Sequence, residues 1–220
     1  MSDLRILVKI PTRGRPKQCA EVIRSMQSMQ AGECEYFVSL DHDDPSVDGY
    51  GKAFDGLDVW VKRGKSASKI DAINRDINEC KFSWDILLVG SDDMFPVAQG
   101  WDTIIREAMA KHFPDTDGML WFPDGYTKNL CTMPIMGRKF YQRFGKVYHP
   151  SYRSFFCDNE QTEIAQAYGK LVYIDRQLFD HRHPDNGVKV ARDETYKRAN
   201  KDWDADKRNY MQRRRNGFPQ

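Results

Sequence analysis

Short apolar segments alternate with amphipathic ones across the first half of the chain, and this alternation restricts the fold more than any other feature. Residues 4–10 and 86–90 are nearly continuous apolar runs of strand length. Helical spacing of apolar residues begins at Pro16 and again after Ser66 or Ser68, either of which can cap a helix. Strands that alternate with helices in this way indicate an α/β domain.

The same reading extends along the rest of the chain. The predicted strands are 4–10, 36–41, 58–63, 85–90, 117–126 (with its turn) and 170–175. Predicted helices carry these apolar or aromatic residues on one face: Cys19, Val22, Ile23, Met26 and Met29; Ile70, Ile73, Ile77 and Cys80; Trp101, Ile104, Ile105, Ala108 and Met109. Segments 138–145 and 160–169 complete the predicted helices.

Composition limits the class of protein. The chain has 220 residues, of which 40% are hydrophobic, enough for one sizeable core. No apolar run reaches the ~18 residues of a membrane span, and the first residues lack the pattern of a signal peptide, so we expect a cytoplasmic protein. The 5 cysteines form no CxxC pair, and their odd number argues against a complete disulfide framework.

Polar side chains follow four of the predicted strands. They are Thr12 and Arg13, Asp41 with Asp43 and Asp44, Arg63 with Lys65, and Asp92 with Asp93. Because ligands of open α/β sheets bind beyond the carboxyl ends of the strands, these side chains are expected to share one crevice. Carboxylates suit a divalent cation, whereas Arg and Lys suit phosphate oxygens. The pattern predicts a site for a nucleotide diphosphate with a metal ion.

The adjacent acids Asp92 and Asp93 need compensation if they are buried. Two carboxylates ~4 Å apart repel by about 4 kcal/mol at an effective dielectric constant of about 20. A divalent cation, a shared proton or solvent can offset this, and an exposed turn is the simpler alternative. The sequence has no GxxxxGK[ST], GxGxxG or GxSxG motif, which disfavours P-loop, dinucleotide-binding and nucleophile-elbow enzymes.

Several segments, taken in order and spacing, resemble the GT-A-type glycosyltransferases, especially the family 2-like group. They are LVKIPTRGRPKQCAEVIRSM, SLD, KIDAINRDI, GSDDMF, DGMLWFPDG, FFCDNEQTEIAQAYGKLVYID and FDHRHP. The resemblance covers residues 4 to about 184. It implies a GT-A-like mixed sheet flanked by helices in a single domain, 1–190, with a nucleotide-sugar half at about 1–100 and an acceptor half at about 101–190. Residues 191–220 would form a helical, basic C-terminal tail.

The resemblance also implies roles for individual residues. The expected nucleotide-sugar site consists of Pro11, Thr12, Arg13, Asp41, Arg63, Lys65, Lys69, Asn74, Ser91 and Asp92. The "DXD" motif of the family appears here as Ser91, Asp92 and Asp93, which leaves open which Asp binds the metal directly. The expected metal ligands are Asp93 and Asp92 with His181 or His183, the ion being Mn²⁺ or Mg²⁺. The expected donor is a nucleoside-diphosphate sugar, with a UDP-sugar favoured.

Acids at the start of a predicted helix are candidates for the catalytic base. Asp158, Glu160 and Glu163 would also complement the helix dipole without any catalytic role. In inverting GT-A enzymes the general base occupies such a position, so the resemblance implies Asp158 first and Glu160 second. Trp121 and Tyr126 could stack on the acceptor, or simply pack in the core.

The acceptor is left open by the sequence. The cationic segment 207–217 is either a solvated tail or a contact for phosphates, so the acceptor is a glycan or a hydroxymethylated DNA base. Inversion of the anomeric configuration is implied by the resemblance only. Two other classes remain: a nucleotidyltransferase, which also places carboxylates on a metal, and a non-catalytic nucleic-acid-binding module.

Overall fold

The computed structural model describes residues 4–187 and 193–220, and its main feature is a mixed seven-stranded sheet in the order β3-β2-β1-β4-β7-β6-β8. Its strands are β1 (Ile6–Thr12), β2 (Cys34–Asp41), β3 (Trp60–Gly64), β4 (Ile86–Val89), β6 (Met119–Trp121), β7 (Ile135–Gly137) and β8 (Leu171–Tyr173). A second sheet pairs β5 (Met94–Pro96) with β9 (Phe179–His181). The prediction of a mixed sheet in an α/β domain is confirmed.

Helices cover both faces of the large sheet. They are α1 (Pro16–Met29), α2 (Gly49–Ala53), α3 (Lys69–Asn74), α4 (Trp101–His112), α5 (Arg138–Gln142), α6 (Cys157–Ala167), α7 (Glu194–Asn200) and α8 (Trp203–Arg215), with 3-10 turns at Ile77–Glu79 and Pro184–Asn186. Alternate residues of β1 enter two separate apolar clusters. Ile6, Val8 and Ile10 pack with α1 and α4, whereas Leu7 packs with α3 and α5. A strand buried on both faces explains the continuous apolar run in the sequence.

Strand directions place the polar segments together. β1 pairs in parallel with both β2 and β4, and β2 pairs in parallel with β3. The carboxyl ends of these four strands therefore lie along one edge of the sheet. The segments that follow them, including Arg13 and the Asp92–Asp93 pair, meet at this edge as expected from the sequence.

One helix is shorter than its apolar periodicity predicts. α3 ends at Asn74, and Asp76 has a left-handed backbone with φ of 69°. The carbonyl of Arg75 accepts a hydrogen bond from Nζ of the buried Lys9 at 3.1 Å, so it is directed into the domain and not along a helix. Ile77 and Cys80 consequently belong to a separate 3-10 turn and the residue after it.

The C-terminal helices are attached to the domain. The buried carboxylate of Asp206 in α8 accepts hydrogen bonds from the backbone N–H groups of Arg153, Ser154 and Phe155, just before α6. The predicted boundary between 190 and 191 falls outside the described residues. Within the two described ranges, no helix combines the length and the apolar character that crossing a membrane requires.

Candidate active site

The edge formed by the ends of β1 and β2 contains a network of charged side chains. Arg13 donates from Nη1 to Oδ2 of Asp41 at 3.2 Å and to Oδ1 of Asp43 at 2.5 Å. The other carboxylate oxygen of Asp41, Oδ1, is buried without a hydrogen-bond partner. Arg13 and Asp41, which the resemblance assigns to the nucleotide, therefore lie in contact, and one oxygen of Asp41 has unused hydrogen-bonding capacity.

Asp92 is buried and occupied by protein partners. Thr12 donates from Oγ1 to its Oδ2 at 2.6 Å, and Arg15 donates from Nη1 to its Oδ1 at 2.9 Å. Burial and the adjacent negative charge of Asp93 raise the pKa of Asp92 to about 6, although Arg15 and Thr12 oppose the rise. Compensation for the acidic pair thus comes from a guanidinium within the fold, which the sequence analysis did not identify.

Arg15 connects the acidic pair to the C-terminal helices. It forms a bidentate pair with Asp193, from Nε to Oδ2 at 2.6 Å and from Nη2 to Oδ1 at 2.8 Å. Its guanidinium also lies 4.0 Å from the centre of the Tyr196 ring, a favourable cation–π arrangement. The contact joins residues 178 positions apart, so no local pattern in the sequence could have revealed it.

Asp93 has a different environment from its neighbour. It accepts hydrogen bonds from Ser91 Oγ at 2.5 Å and from the Tyr196 hydroxyl at 3.0 Å. Nε2 of His181 lies 3.6 Å from its Oδ1. Burial works to raise the pKa of Asp93, but His181, Ser91 and the positive charge of Lys69 outweigh it and lower the pKa. Asp93 is therefore the more readily ionised acid of the pair.

Asp93 and His181 fit a divalent cation better than Asp92 does. Two metal–ligand bonds of about 2.0–2.2 Å can span the 3.6 Å between the Asp93 and His181 donor atoms. Among the described residues no cluster of three or more His, Cys, Asp or Glu side chains surrounds such a position. Protein donors alone would leave the shell incomplete, as is usual for Mg²⁺ sites completed by substrate phosphates and water.

His183 lies farther from the acidic pair than a ligand of Asp93 would. Its ring packs edge-on against Tyr196, with 4.6 Å between ring centres, and its centre is 5.5 Å from that of His181. His181, in β9, has the donor atom beside Asp93. The two histidines, which the sequence could not separate, thus have distinct surroundings.

The acids of α6 also differ from each other. The buried Glu160 forms a bidentate pair with Arg213, both bonds measuring 2.8 Å, and accepts a third hydrogen bond from the Tyr152 hydroxyl at 2.7 Å. Asp158 accepts at Oδ1 from the backbone N–H of Asn159 at 3.0 Å. Burial raises the pKa of Asp158, and that backbone hydrogen bond and the positive charge of Lys69 limit the rise. Asp158 therefore retains proton-accepting capacity that Glu160 does not.

Other predicted residues have varied positions. Lys69 acts electrostatically on both Asp93 and Asp158, which places it between the two groups. The side chain of Asn74 is engaged with the backbone of Val147 and Tyr148. Half-buried Pro11 lies in β1, and Arg63 and Lys65 are exposed near the end of β3.

The two aromatic candidates for acceptor binding are not equivalent. Trp121 is buried, and its ring packs against Tyr173 with 4.8 Å between centres. Tyr126 is 40% exposed, and its hydroxyl donates to Asp180 at 3.0 Å. Only Tyr126 presents a substantial surface to an incoming molecule.

The cationic end of the chain is partly consumed by ion pairs. Arg213 binds Glu160 as described above, and Arg214 pairs with Glu163 at 2.9 Å. Lys207, Arg208 and Arg215 are exposed. Fewer positive charges are thus available to an external polyanion than the sequence suggests.

The chain was compared with known proteins by sequence and by structure. No family model and no curated protein matches its sequence. Solved structures do match. S. aureus TarS 1–349 has a TM-score of 0.64 and 12% identity over 84% of this chain and 62% of that one, and the same protein in complex with UDP has a TM-score of 0.61.

Two further solved structures extend the comparison. Mannosyltransferase PcManGT from Pyrobaculum calidifontis, in complex with GDP-Man and Mn²⁺, has a TM-score of 0.60 and 13% identity over 80% of this chain and 56% of that one. CMP:2-keto-3-deoxy-manno-octonic acid synthetase, complexed with CTP, has a TM-score of 0.52 and 13% identity over 80% of this chain and 91% of that one.

Identities this low establish a shared fold and nothing finer. The chain also spans only about three-fifths of the TarS fragment and of the mannosyltransferase, 62% and 56% respectively. The seven-stranded mixed sheet and these matches agree with the resemblance found in the sequence. The chain has the GT-A fold of nucleotide-sugar glycosyltransferases.

Proposed function

We propose that the chain is a metal-dependent glycosyltransferase that moves a sugar from a nucleoside-diphosphate sugar to an acceptor hydroxyl, with inversion. The observation that carries the proposal is the pairing of Asp93 Oδ1 with His181 Nε2 at 3.6 Å, in a crevice that also holds Asp158. The structural matches to a mannosyltransferase bound to GDP-Man and Mn²⁺ and to UDP-bound TarS support it. A UDP-sugar is the favoured donor.

The donor site combines one carboxylate with several cations. Asp93 and His181 would hold Mn²⁺ or Mg²⁺, which when bound neutralises charge on the leaving diphosphate. Lys69 lies close enough to Asp93 to lower its pKa and can contact the same phosphates. Asp92 acts indirectly in this proposal because its oxygens bind Arg15 and Thr12.

Nucleotide recognition would use the ends of β1, β2 and β3. Asp41 has a buried oxygen free to accept from a base or ribose, and it is already oriented by Arg13. Exposed Arg63 and Lys65 extend the cationic surface beyond it. These groups bind and orient the donor without taking part in proton transfer.

Asp158 is the proposed general base. A base must reach the acceptor hydroxyl at hydrogen-bond distance, and its pKa should lie above that of an ordinary carboxylate so that it accepts the proton readily. Burial raises the pKa of Asp158 in this direction. Glu160 is unsuited to the role because Arg213 and Tyr152 already occupy its carboxylate.

The acceptor is proposed to be either a hydroxymethylated DNA base or a glycan. Exposed Lys207, Arg208 and Arg215 support the first, and exposed Tyr126 supports either. Binding to DNA through three cations would weaken steeply between low and moderate salt. Negligible affinity for DNA at low salt would leave the glycan acceptor.

A nucleotidyltransferase is the second candidate, because the synthetase complexed with CTP shares the fold. The two activities release different products. A glycosyltransferase liberates a nucleoside diphosphate from a nucleotide sugar, whereas a nucleotidyltransferase liberates pyrophosphate from a nucleoside triphosphate. Assaying both products with the same protein distinguishes them.

Thermal stability in the presence of nucleotide sugars tests the proposal. UDP-, GDP-, CDP- and TDP-sugars are added with and without Mn²⁺, and a ligand of the folded state raises the melting temperature. We expect one metal-dependent shift that Asp93→Ala abolishes and that the exposed control Asp55→Ala retains. Absence of any shift with folded wild-type protein would contradict the proposal and favour a non-catalytic nucleic-acid-binding module.

A further inference from the structure

The turn after β6 contains a buried acid that the proposed chemistry does not use. Asp124 is 3% exposed. Its Oδ1 accepts hydrogen bonds from the backbone N–H groups of Tyr126 at 2.9 Å and Thr127 at 2.7 Å, an arrangement typical of an Asx-turn. These bonds explain one of the two carboxylate oxygens.

The second oxygen of Asp124 faces His181. Thr132 donates from Oγ1 to Oδ2 at 2.9 Å, and Nδ1 of His181 lies 3.4 Å from the same oxygen. The backbone carbonyl of Asp124 also accepts from the backbone N–H of His181 at 3.1 Å. One residue therefore holds both the main chain and the ring of a histidine 57 positions away.

This contact determines which ring nitrogen carries the proton. An ionised carboxylate can only accept a hydrogen bond, so Nδ1 of a neutral His181 must be the donor toward Asp124. The lone pair of that imidazole then lies on Nε2, the atom 3.6 Å from Asp93 Oδ1. Histidines that ligate metals are commonly held in this way, with the second nitrogen bonded to a carboxylate.

We infer that Asp124 is a positioning residue that fixes His181 as the Nδ1–H tautomer and directs Nε2 toward Asp93. The part of this inference that concerns a metal ion rests on the proposed function, whereas the part that concerns the tautomer does not. Asp124 would neither bind the ion nor touch the substrate. It would act only through His181.

The substitution Asp124→Asn tests the inference with little change in shape. An asparagine oxygen can still accept from Tyr126 and Thr127, but the amide nitrogen would donate to Nδ1 of His181 and force the proton onto Nε2. We expect ¹⁵N NMR of the metal-free proteins above pH 8 to show Nδ1–H in the wild type and Nε2–H in the variant. Titration with MnCl₂, followed through broadening of the His181 signals, should show affinity reduced about 10- to 100-fold.

Thr132→Val is the matched control. It removes another hydrogen bond to the same oxygen without changing charge, so the His181 tautomer and the Mn²⁺ affinity should be retained. Retention of Nδ1–H and of Mn²⁺ affinity in Asp124→Asn would overturn the inference and leave Asp124 as a loop-forming residue. An Nε2–H tautomer in the wild type would overturn it without any variant.

Failure of the proposed function has a separate signature. If Mn²⁺ left the wild-type His181 signals sharp, the proposed metal site would be wrong and the metal-related part of the inference would fail with it. An Nδ1–H tautomer that Asp124→Asn reverses would still support the positioning of the ring by Asp124.

Discussion

Two pairs of acids, Asp92 with Asp93 after β4 and Asp158 with Glu160 at the start of α6, are organised in the same way. In each pair one member is bound by a buried arginine, Asp92 by Arg15 at 2.9 Å and Glu160 by Arg213 at 2.8 Å. The other member has no such partner among the described salt bridges, apart from the 4.0 Å approach of Arg15 to Asp93. Acids that look equivalent in the sequence are thus separated by arginines from other parts of the chain.

The separation has an energetic meaning. Removing one partner of a buried ion pair leaves an uncompensated charge and typically costs about 3–5 kcal/mol of stability. A carboxylate without an arginine is instead available to a metal ion, a substrate or a proton. We therefore expect the arginine-bound acids to affect mainly stability or positioning, and Asp93 and Asp158 to affect mainly activity.

The largest expected effect comes from substituting the two members of the first pair. Asp93→Asn should lower kcat/KM about 10⁴-fold, because it removes a ligand of the ion that stabilises the leaving group. Asp92→Asn should lower it about 10- to 100-fold, since it acts only through Arg15 and Thr12. Release of nucleoside diphosphate from the donor measures both. Equal losses would contradict the distinction within this pair.

Asp158→Asn should lower kcat by about 10³-fold by removing the base, while the free energy of unfolding changes little. The matched control is Glu163→Gln in the same helix, which affects only a partly exposed pair with Arg214. Single-turnover kinetics with saturating donor would isolate the chemical step. Unchanged kcat in Asp158→Asn would assign the base elsewhere.

The arginines of the second pair should differ in their effect on stability. Arg213→Ala leaves Glu160 buried and unpaired, so it should reduce the free energy of unfolding by about 3–5 kcal/mol. Arg214→Ala disrupts a more exposed pair, and its cost should stay below about 1 kcal/mol. Urea denaturation measures both values. Similar costs for the two variants would mean that the Glu160 pair is not the stabilising contact described here.

The smallest expected effect is a pH dependence that originates in Asp92. Its pKa of about 6 in the folded protein exceeds the ordinary value of 3.8, so the folded state binds this proton more tightly. Its contribution to stability is therefore complete below about pH 4 and is lost as the pH rises through about 6. The unfolding free energy of wild type minus that of Asp92→Asn should fall by about 1–3 kcal/mol over this range. A rising difference would reverse the assigned direction.

Local patterns in the sequence were sufficient for the fold and for the position of the crevice. Apolar runs and helical spacing located the strands and helices, and polar residues after strands located the edge where they meet. The break after Asn74 was missed because the Lys9 contact that redirects the chain comes from another strand. Trp121 could not be separated from an exposed platform because a strand residue can face either the core or a ligand.

The division of labour within the site depended on contacts that no local pattern contains. Arg15 reaches Asp193 across 178 positions, and Arg213 reaches Glu160 across 53. The sequence offered both arginines only as members of basic segments. Which histidine faces Asp93 likewise depends on the Asp124 turn, which is recognisable as a turn but not as a neighbour of His181.

The attachment of the C-terminal helices affects the order in which the protein can be completed during synthesis. Strands β1 to β4 can associate early, since domains begin to fold as they emerge from the ribosome. Glu160 acquires its bidentate partner only once Arg213 has been made, and Asp93 acquires the Tyr196 hydroxyl late as well. A nascent chain that pauses before residue 193 would therefore contain the whole sheet while its two acidic pairs were still incompletely compensated.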